Sequence, residues 1–552
     1  MKRRELLKQL GVGIPALALT SGTGAQEFLQ AFAGEKMLKG PFKPTWDSLR
    51  KYVVPDWYRN AKFGIWAHWG PQCEPEAGDW YARGMYEEGS RQYHYHIKKY
   101  GHPSRFGFKD VINEWKADQW NPEELVSLYK EAGAKYFFAM ANHHDNFDMY
   151  DSSYQKNWNS VKLGPKKDII AGWAKAAKKM GLPFGCSIHA AHAWRWFETA
   201  QRSDQSGPLA GIPYDGKLTK ADGKGKWWEG LDPQELYAQD HPLSKDSLDN
   251  GSIHRQWHWG EGVFPPGKAY VEKFVNRTIE LINKYEPDLL YFDDSQLPFW
   301  PVSDAGLRIA AHHYNHSLKK YGEMRAVING KILDEQQRKA MVWDIERGQA
   351  NDILPHTWQT DTCIGSWHYD RSIYENNRYK SPRMVIQTLV DVVSKNGNYL
   401  LNIPVRSNGS IDDLERKIVQ DISRWMKLNS ESIYDTRPWE IFGEGPSTEN
   451  QAKLTGQGFN EGRTKFTSED IRFNQKGSTL FVTVMAWPEA GNNVLIKSLR
   501  KNNPYYKKEI KQVEWLETKD SLIFEQHDDG LKISFPDKAP LFPFAVVLKI
   551  TG

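Results

Sequence analysis

Cysteine is scarce: 552 residues hold only Cys73, Cys186 and Cys363, far apart and odd in number. They form neither a disulfide framework nor a C-x-x-C zinc pattern, and they read as small buried hydrophobes. An excess of one charge is also missing. The net charge is +4 and no lysine/arginine run stands out, so the footprint of a nucleic-acid binder is absent. Beyond the N-terminus no apolar run approaches a membrane span, and there is no internal repeat or low-complexity tract. The remaining composition is globular, with 39% hydrophobic residues and a mean hydropathy of −0.68. The length suits a barrel with an accessory module. Aromatics are plentiful, with 23 Trp and 25 Tyr. Flat rings stack on the C–H faces of sugars but also fill large cores, so this abundance alone decides nothing.

Residues 1–33 read as an export signal and are set aside from the fold. Lys2-Arg3-Arg4-Glu5-Leu6-Leu7-Lys8 precedes an apolar stretch from Leu10 to Leu19, then small residues with cleavage after Ala25 or Ala33. Paired arginines followed by leucines resemble a twin-arginine address, with an ordinary Sec signal or a frayed basic N-terminus as the alternatives. Either signal predicts a periplasmic or secreted protein.

From about residue 60, short apolar runs alternate with helical periodicity. Strands are expected at Phe63–His68, Tyr136–Asn142, Phe184–His189, Leu289–Asp293, Ala326–Asn329, Val342–Glu346, Trp358–Thr362 and Tyr399–Ile403. Val271, Phe274, Val275, Ile279 and Ile282 mark one apolar helix face between the third and fourth. Strands alternating with helices predict a parallel α/β sheet. Eight of them favour a closed (β/α)₈ barrel over residues 40–438, with a doubly wound open sheet as the alternative. The segment 207–261, rich in Gly, Lys, Asp and Trp, is expected to be a long loop excursion. Residues 439–552 show short strands between Gly, Asn, Asp and Pro turns, the pattern of an antiparallel β-sandwich.

Catalysis in such barrels sits at the C-terminal ends of the strands. There the sequence places His68-Trp69-Gly70, with Asp79-Trp80-Tyr81 in the following loop, then His143-His144-Asp145, and His189 with His192 and Trp194. Further on come Asp293-Asp294, Asp344 and Glu346, and Trp367-His368-Tyr369. Imidazoles, carboxylates and indoles therefore recur at one end of the barrel. A metal-dependent hydrolase would draw ligands from His143, His144, His189 and Asp293, but none of the usual metal spacings is present.

Several ordered stretches carry a more specific resemblance. They are Ala61-Lys62-Phe63-Gly64-Ile65 into His68-Trp69-Gly70, Gly133-Ala134-Lys135-Tyr136 into His143-His144-Asp145, and Trp158-Asn159-Ser160 with Gly164-Pro165-Lys166-Lys167-Asp168. Gly181-Leu182-Pro183-Phe184-Gly185 and Tyr285-Glu286-Pro287-Asp288 into Tyr291-Phe292-Asp293 follow in the same order. Over nearly its whole mature length the chain resembles the glycoside hydrolase family 29 α-L-fucosidases. The resemblance implies a retaining exo-enzyme with Asp293 as nucleophile rather than Asp294, and with His68, His143 and His144 holding the sugar. Glu346 is the nearest match for the acid/base, with an ion pair to Arg347 or another basic neighbour as the structural alternative. Asp79, Trp80, His189, Trp194 and Trp367 join the expected sugar site, the three tryptophans as apolar walls.

The chain also departs from the family. Asp79 replaces a usual Glu, Ser187-Ile188-His189 replaces an aromatic-rich stretch, and Lys331 lies near a common Arg. These departures keep a fucose-like sugar, such as galactose or a sulfated fucose, as an alternative substrate. The resemblance implies no metal and no organic cofactor. The expected partner is a fucosylated oligo- or polysaccharide, with no stable membrane span.

Overall fold

The computed structural model describes residues 34–552 apart from 246, 248–258, 261, 450, 452–453, 455–457, 463 and 489–492. The expected export signal lies outside the described residues. No helix among them is long and apolar enough to cross a membrane.

Eight parallel strands close into a barrel in chain order. They are β1 Phe63–Ala67, β2 Tyr136–Asn142, β3 Phe184–Ile188, β4 Leu289–Ser295, β5 Val327–Lys331, β6 Val342–Glu346, β7 Trp358–Cys363 and β8 Gly397–Asn402. Closure is made by β8 on β1, with Phe63 opposite Tyr399, so the open-sheet alternative falls away. The strands are buried on both faces, which is why they read as unbroken apolar runs. In β1, Gly64 faces the ring of Tyr136, and a Cβ there would lie 2.2 Å from it.

Six helices cover the barrel: α1 Pro122–Glu131, α2 Ile169–Lys179, α3 Lys268–Tyr285, α4 Ala305–Tyr321, α5 Pro382–Ser394 and α6 Asp413–Asn429. Their starts are written locally. The side chains of Asn121, Asp168, Ser381 and Asp412 each accept a backbone N–H of the first turn, and Asp412 with Glu415 forms a capping box. All five apolar positions expected on α3 are buried. The connection from β5 to β6 has only the 3₁₀ turn Gln337–Lys339, and that from β6 to β7 has no helix among the described residues.

Side chains alternate along a strand, and here that alternation builds the site. Trp66, Tyr291, Val327 and Val342 belong to the packed interior cluster. Two or four residues further along the same strands stand His68, Asp293, Lys331 and Glu346, which line the cavity above it. The inward series therefore runs apolar at the bottom and polar at the mouth.

The described part of the 207–261 excursion is held to the β1–β2 loop rather than projecting freely. Asp215 is buried and accepts from Lys109 Nζ at 2.9 Å and from the hydroxyls of Tyr86 and Tyr237 at 2.6 Å each.

C-terminal antiparallel strands follow: β9 Arg437–Glu444, β10 Ile471–Lys476, β11 Thr479–Val484, β12 Asn493–Ile496, β13 Gln512–Trp515, β14 Asp520–Ser521, β15 Ile523–Gln526, β16 Leu531–Ser534 and β17 Val546–Thr551. They make a six-stranded sheet in the order β14-β13-β17-β11-β10-β9 and a three-stranded sheet in the order β12-β16-β15. A shared core contains Phe473, Val482, Ile496, Trp515, Ile533 and Leu548. The sequence places strands at β11, β12, β13, β15, β16 and β17; three others, β9, β10 and β14, were not anticipated. The outer face of β10 carries Arg472 and Asn474, which are buried, because this sheet packs on α5 rather than facing water. Arg472 Nε meets Asp391 Oδ1 at 2.6 Å, and Lys395 Nζ meets Asp391 Oδ2 at 2.8 Å.

Candidate active site

At the C-terminal mouth of the barrel lies a cavity of about 260 Å³. Its floor is Trp66 and Tyr291, whose rings are 4.9 Å apart. Around it stand His68, His143, His189 and Asp79, with Trp80 and Trp367 above. Asp293, Lys331, Glu346 and Asp361 occupy one side, and Arg347 and Phe459 the rim.

Asp293 is held from two directions. Its Oδ2 lies 3.2 Å from His144 Nε2 and 3.2 Å from His189 Nδ1, while Oδ1 accepts from Lys331 Nζ at 2.6 Å. Burial by itself would raise this carboxyl, but Lys331 and the two histidines keep it well below the usual carboxylate range. These contacts favour its ionised form. The neighbouring Asp294 alternates to the other side of β4 and pairs with His192 Nε2 at 3.0 Å, away from the cavity lining.

The same ammonium of Lys331 also bonds Glu346. Two hydrogen bonds placed end to end span at most about 6 Å, so the facing oxygens of Asp293 and Glu346 lie no further apart than that. Burial pushes Glu346 up to about 7 despite Lys331, with the charges of Asp361 and Asp293 adding to the rise. Of the ion-pair alternatives for Glu346, the partner is not Arg347 but another basic neighbour, Lys331. Arg347 Nε lies 3.6 Å from Glu461 instead.

Below this layer Tyr291 donates to Asp361 at 2.9 Å, and Gln359 Nε2 to Asp344 at 2.7 Å. Burial and the neighbouring Asp361 raise Asp344 well above its ordinary value. Burial favours a neutral amine at Lys331, yet Asp293, Glu346, Asp361 and Asp344 together hold it firmly charged.

The imidazoles form a cluster. His68, His143 and His189 have ring centroids 4.8 to 5.2 Å apart. Burial, reinforced by neighbouring histidines, drives His68 and His143 well below the usual range, and burial takes His189 to about 4. Neutral rings can donate or accept. His68 Nδ1 and His189 Nε2 are buried without a protein partner, so each has a hydrogen bond to offer a hydroxyl. His143 Nδ1 meets Gln72 Nε2 at 2.7 Å, and Asp79 Oδ1 meets His368 Nδ1 at 2.6 Å. His144 supports Asp293 from behind the lining. Trp194 stands apart from the cavity, stacked on His241 at 4.1 Å with its Nε1 donating to the Phe264 carbonyl.

Among the described residues, three groups have ligand atoms within 4.8 Å of one another: His68/His143/His189, Asp79/His143/His368 and His144/His189/Asp293. The last faces the Lys331 ammonium, which repels a second cation at that carboxylate.

Sequence reasoning noticed Lys331 only as a departure and did not select Trp66, Tyr291, Asp361, His368, Arg347 or Phe459. For Lys331 and Asp361 a signal existed, since each is a charged residue near the end of a buried strand. Phe459 had none, because it lies in a turn-rich stretch without periodicity.

Two carboxyls share one small cavity at the mouth of a (β/α)₈ barrel, one held ionised and the other raised towards neutrality. Such a pair is the equipment of a glycoside hydrolase. The family model for alpha-L-fucosidase matches residues 29–431, and that for the alpha-L-fucosidase C-terminal domain matches residues 464–551. The chain therefore belongs to the α-L-fucosidase family. It is 25% identical over 523 residues to the tissue alpha-L-fucosidase of Homo sapiens, covering 93% of this chain and 92% of that protein. The crystal structure of Thermotoga maritima alpha-fucosidase superposes with a TM-score of 0.65 at 25% identity, over 92% of this chain and 100% of that one. The same enzyme in complex with fucose gives 0.64 at 25% identity, again over 92% and 100%.

Proposed function

We propose that this chain is an exported, retaining exo-α-L-fucosidase acting on fucosylated oligo- or polysaccharides. The observation that carries the reading is the single Lys331 ammonium bonded to both Asp293 and Glu346. A shared ammonium holds the facing oxygens no further apart than about 6 Å, which supports the close-set carboxyls of retaining glycosidases over the about 6.5–9.5 Å of inverting ones. The cavity is below the about 300–1,000 Å³ of drug-sized sites and suits one terminal sugar.

In the first step Asp293 attacks the anomeric carbon while Glu346 gives its proton to the leaving oxygen. A covalent fucosyl-enzyme forms. Glu346, now a carboxylate, takes a proton from water as that water displaces Asp293 with a second inversion. His68, His143 and His189 hold the sugar hydroxyls with Asp79, His144 steadies Asp293, and Trp80 and Trp367 face the 6-methyl group. Residues 1–33 supply the export signal, for which the paired Arg3-Arg4 and the following apolar stretch are the support.

The test is hydrolysis of an aryl α-L-fucoside, with the first-formed anomer read by NMR. Wild type should release α-fucose, and Asp293→Ala should lose at least about 10⁴-fold in kcat. Release of β-fucose, or an Asp293→Ala variant that retains turnover, overturns the mechanism.

A further inference from the structure

Between β9 and β10, the described residues Gly458–Glu461 lie along the backbone at the end of β6. Gly458 forms a parallel bridge with Glu346 itself. Phe459 N donates to the Glu346 carbonyl at 2.9 Å, and Glu461 N to the Arg347 carbonyl at 2.9 Å. Asn460 Oδ1 accepts from Gln349 N at 2.8 Å, and its Nδ2 donates to Gln349 O at 3.1 Å. Glu461 accepts from Thr362 Oγ1 at 2.8 Å and from Lys380 Nζ at 2.5 Å. At Gly458, with φ of 130°, a Cβ would stand 2.2 Å from the Glu346 carbonyl oxygen. The four residues thus form a strap drawn tightly onto the backbone that carries Glu346.

This strap presents one large side chain. Phe459 is 50% exposed, lines the cavity rim, and is held at φ 60°, a left-handed conformation costly for a bulky residue. A ring held open to water by strained backbone does nothing for the core. Its position has a chemical meaning on the reading proposed above, on which this inference rests. A general acid must lie within hydrogen-bond reach of the oxygen it protonates. Whatever is bonded to that oxygen therefore extends past Glu346, towards the residues bonded to its backbone.

We infer that Phe459 is the platform for the leaving-group sugar, stacking on the C–H face of a neutral pyranose, with Arg347 beside it as a donor to that sugar's hydroxyls. The barrel selects the fucose, and the C-terminal strap selects what the fucose is attached to.

The experiment compares kcat/KM for a fucosylated disaccharide with that for α-L-fucosyl fluoride, whose leaving group is a single atom and cannot reach the strap. Phe459→Ala should lower the disaccharide-to-fluoride ratio about tenfold, the scale of one lost aromatic stack. Phe459→Trp should stay within about threefold of wild type, since it keeps a flat face. Should Phe459→Ala fail to fold, Phe459→Leu, apolar but not flat, decides the same question. A ratio that does not move in a folded variant overturns the platform, because a structural role would depress both substrates together. Wild type that cleaves neither substrate overturns the fucosidase reading instead.

Discussion

Lys331 is the residue on which the chemistry balances. One cation serves two carboxyls that need opposite protonation states, and their surroundings separate them. Asp293 has two histidines in addition to Lys331, whereas Glu346 has Asp361 and Asp293 as like-charged neighbours. On the proposed mechanism the acid works only while Glu346 carries its proton, so kcat/KM should fall as pH rises through about 7. Asp293 must be ionised, and its depressed pKa leaves the acidic side of the profile flat until well below pH 4. Replacing Lys331 by Met removes the pull that lowers both groups. The alkaline limb should then move up in pH and the acidic limb should also rise, with kcat/KM falling by about 10²-fold. A pH–rate profile of the two proteins measures this, and an alkaline limb that stays in place or moves down contradicts the balance described.

Among the elements, the barrel strands test the packing argument most directly. Gly64 leaves room for the Tyr136 ring, and a methyl at 2.2 Å cannot be absorbed without moving β1 or β2. Gly64→Ala should destabilise by about 1–3 kcal/mol through overpacking, read as a lower urea midpoint. An unchanged midpoint would show that the ring swings aside. The strands were legible in the sequence because burial on both faces leaves a continuous apolar signal, and their polar ends marked His68, His143, His189, Asp293 and Glu346. Trp66 and Tyr291 were hidden by the same logic, since inside an apolar run a cavity floor looks like core. The strand β10 was missed because Arg472 and Asn474 imitate a solvent face while lying against α5. Phe459 was beyond reach for a different reason. Its role comes from a long-range backbone bridge, and no local pattern encodes a partner more than a hundred positions away.

For the whole molecule, the joint between barrel and C-terminal sheets contains a buried polar cluster. Asp391 of α5 is held by Lys395 and by Arg472 of β10, with side chains only 1–2% exposed. Burial disfavours the charged carboxylate, yet the two cations outweigh it and keep Asp391 below its ordinary value. Removing one cation leaves a buried charge short of its partner, so Arg472→Met should destabilise by about 3–5 kcal/mol at neutral pH. A group depressed on folding stabilises above its unfolded pKa, about 3.9 for Asp, and loses that contribution as pH falls through the folded value. The difference between wild type and Arg472→Met in denaturant melts should therefore shrink below about pH 4. A gap that is constant with pH would assign the loss to packing alone.

The bridge between Gly458 and Glu346 also bears on how such enzymes change over time. A gene spliced between β8 and β9 would keep every group that breaks the bond, yet it would receive Phe459 and its strap from another parent. Recombination at that joint would exchange appetite without touching chemistry, and the tail would carry the taste.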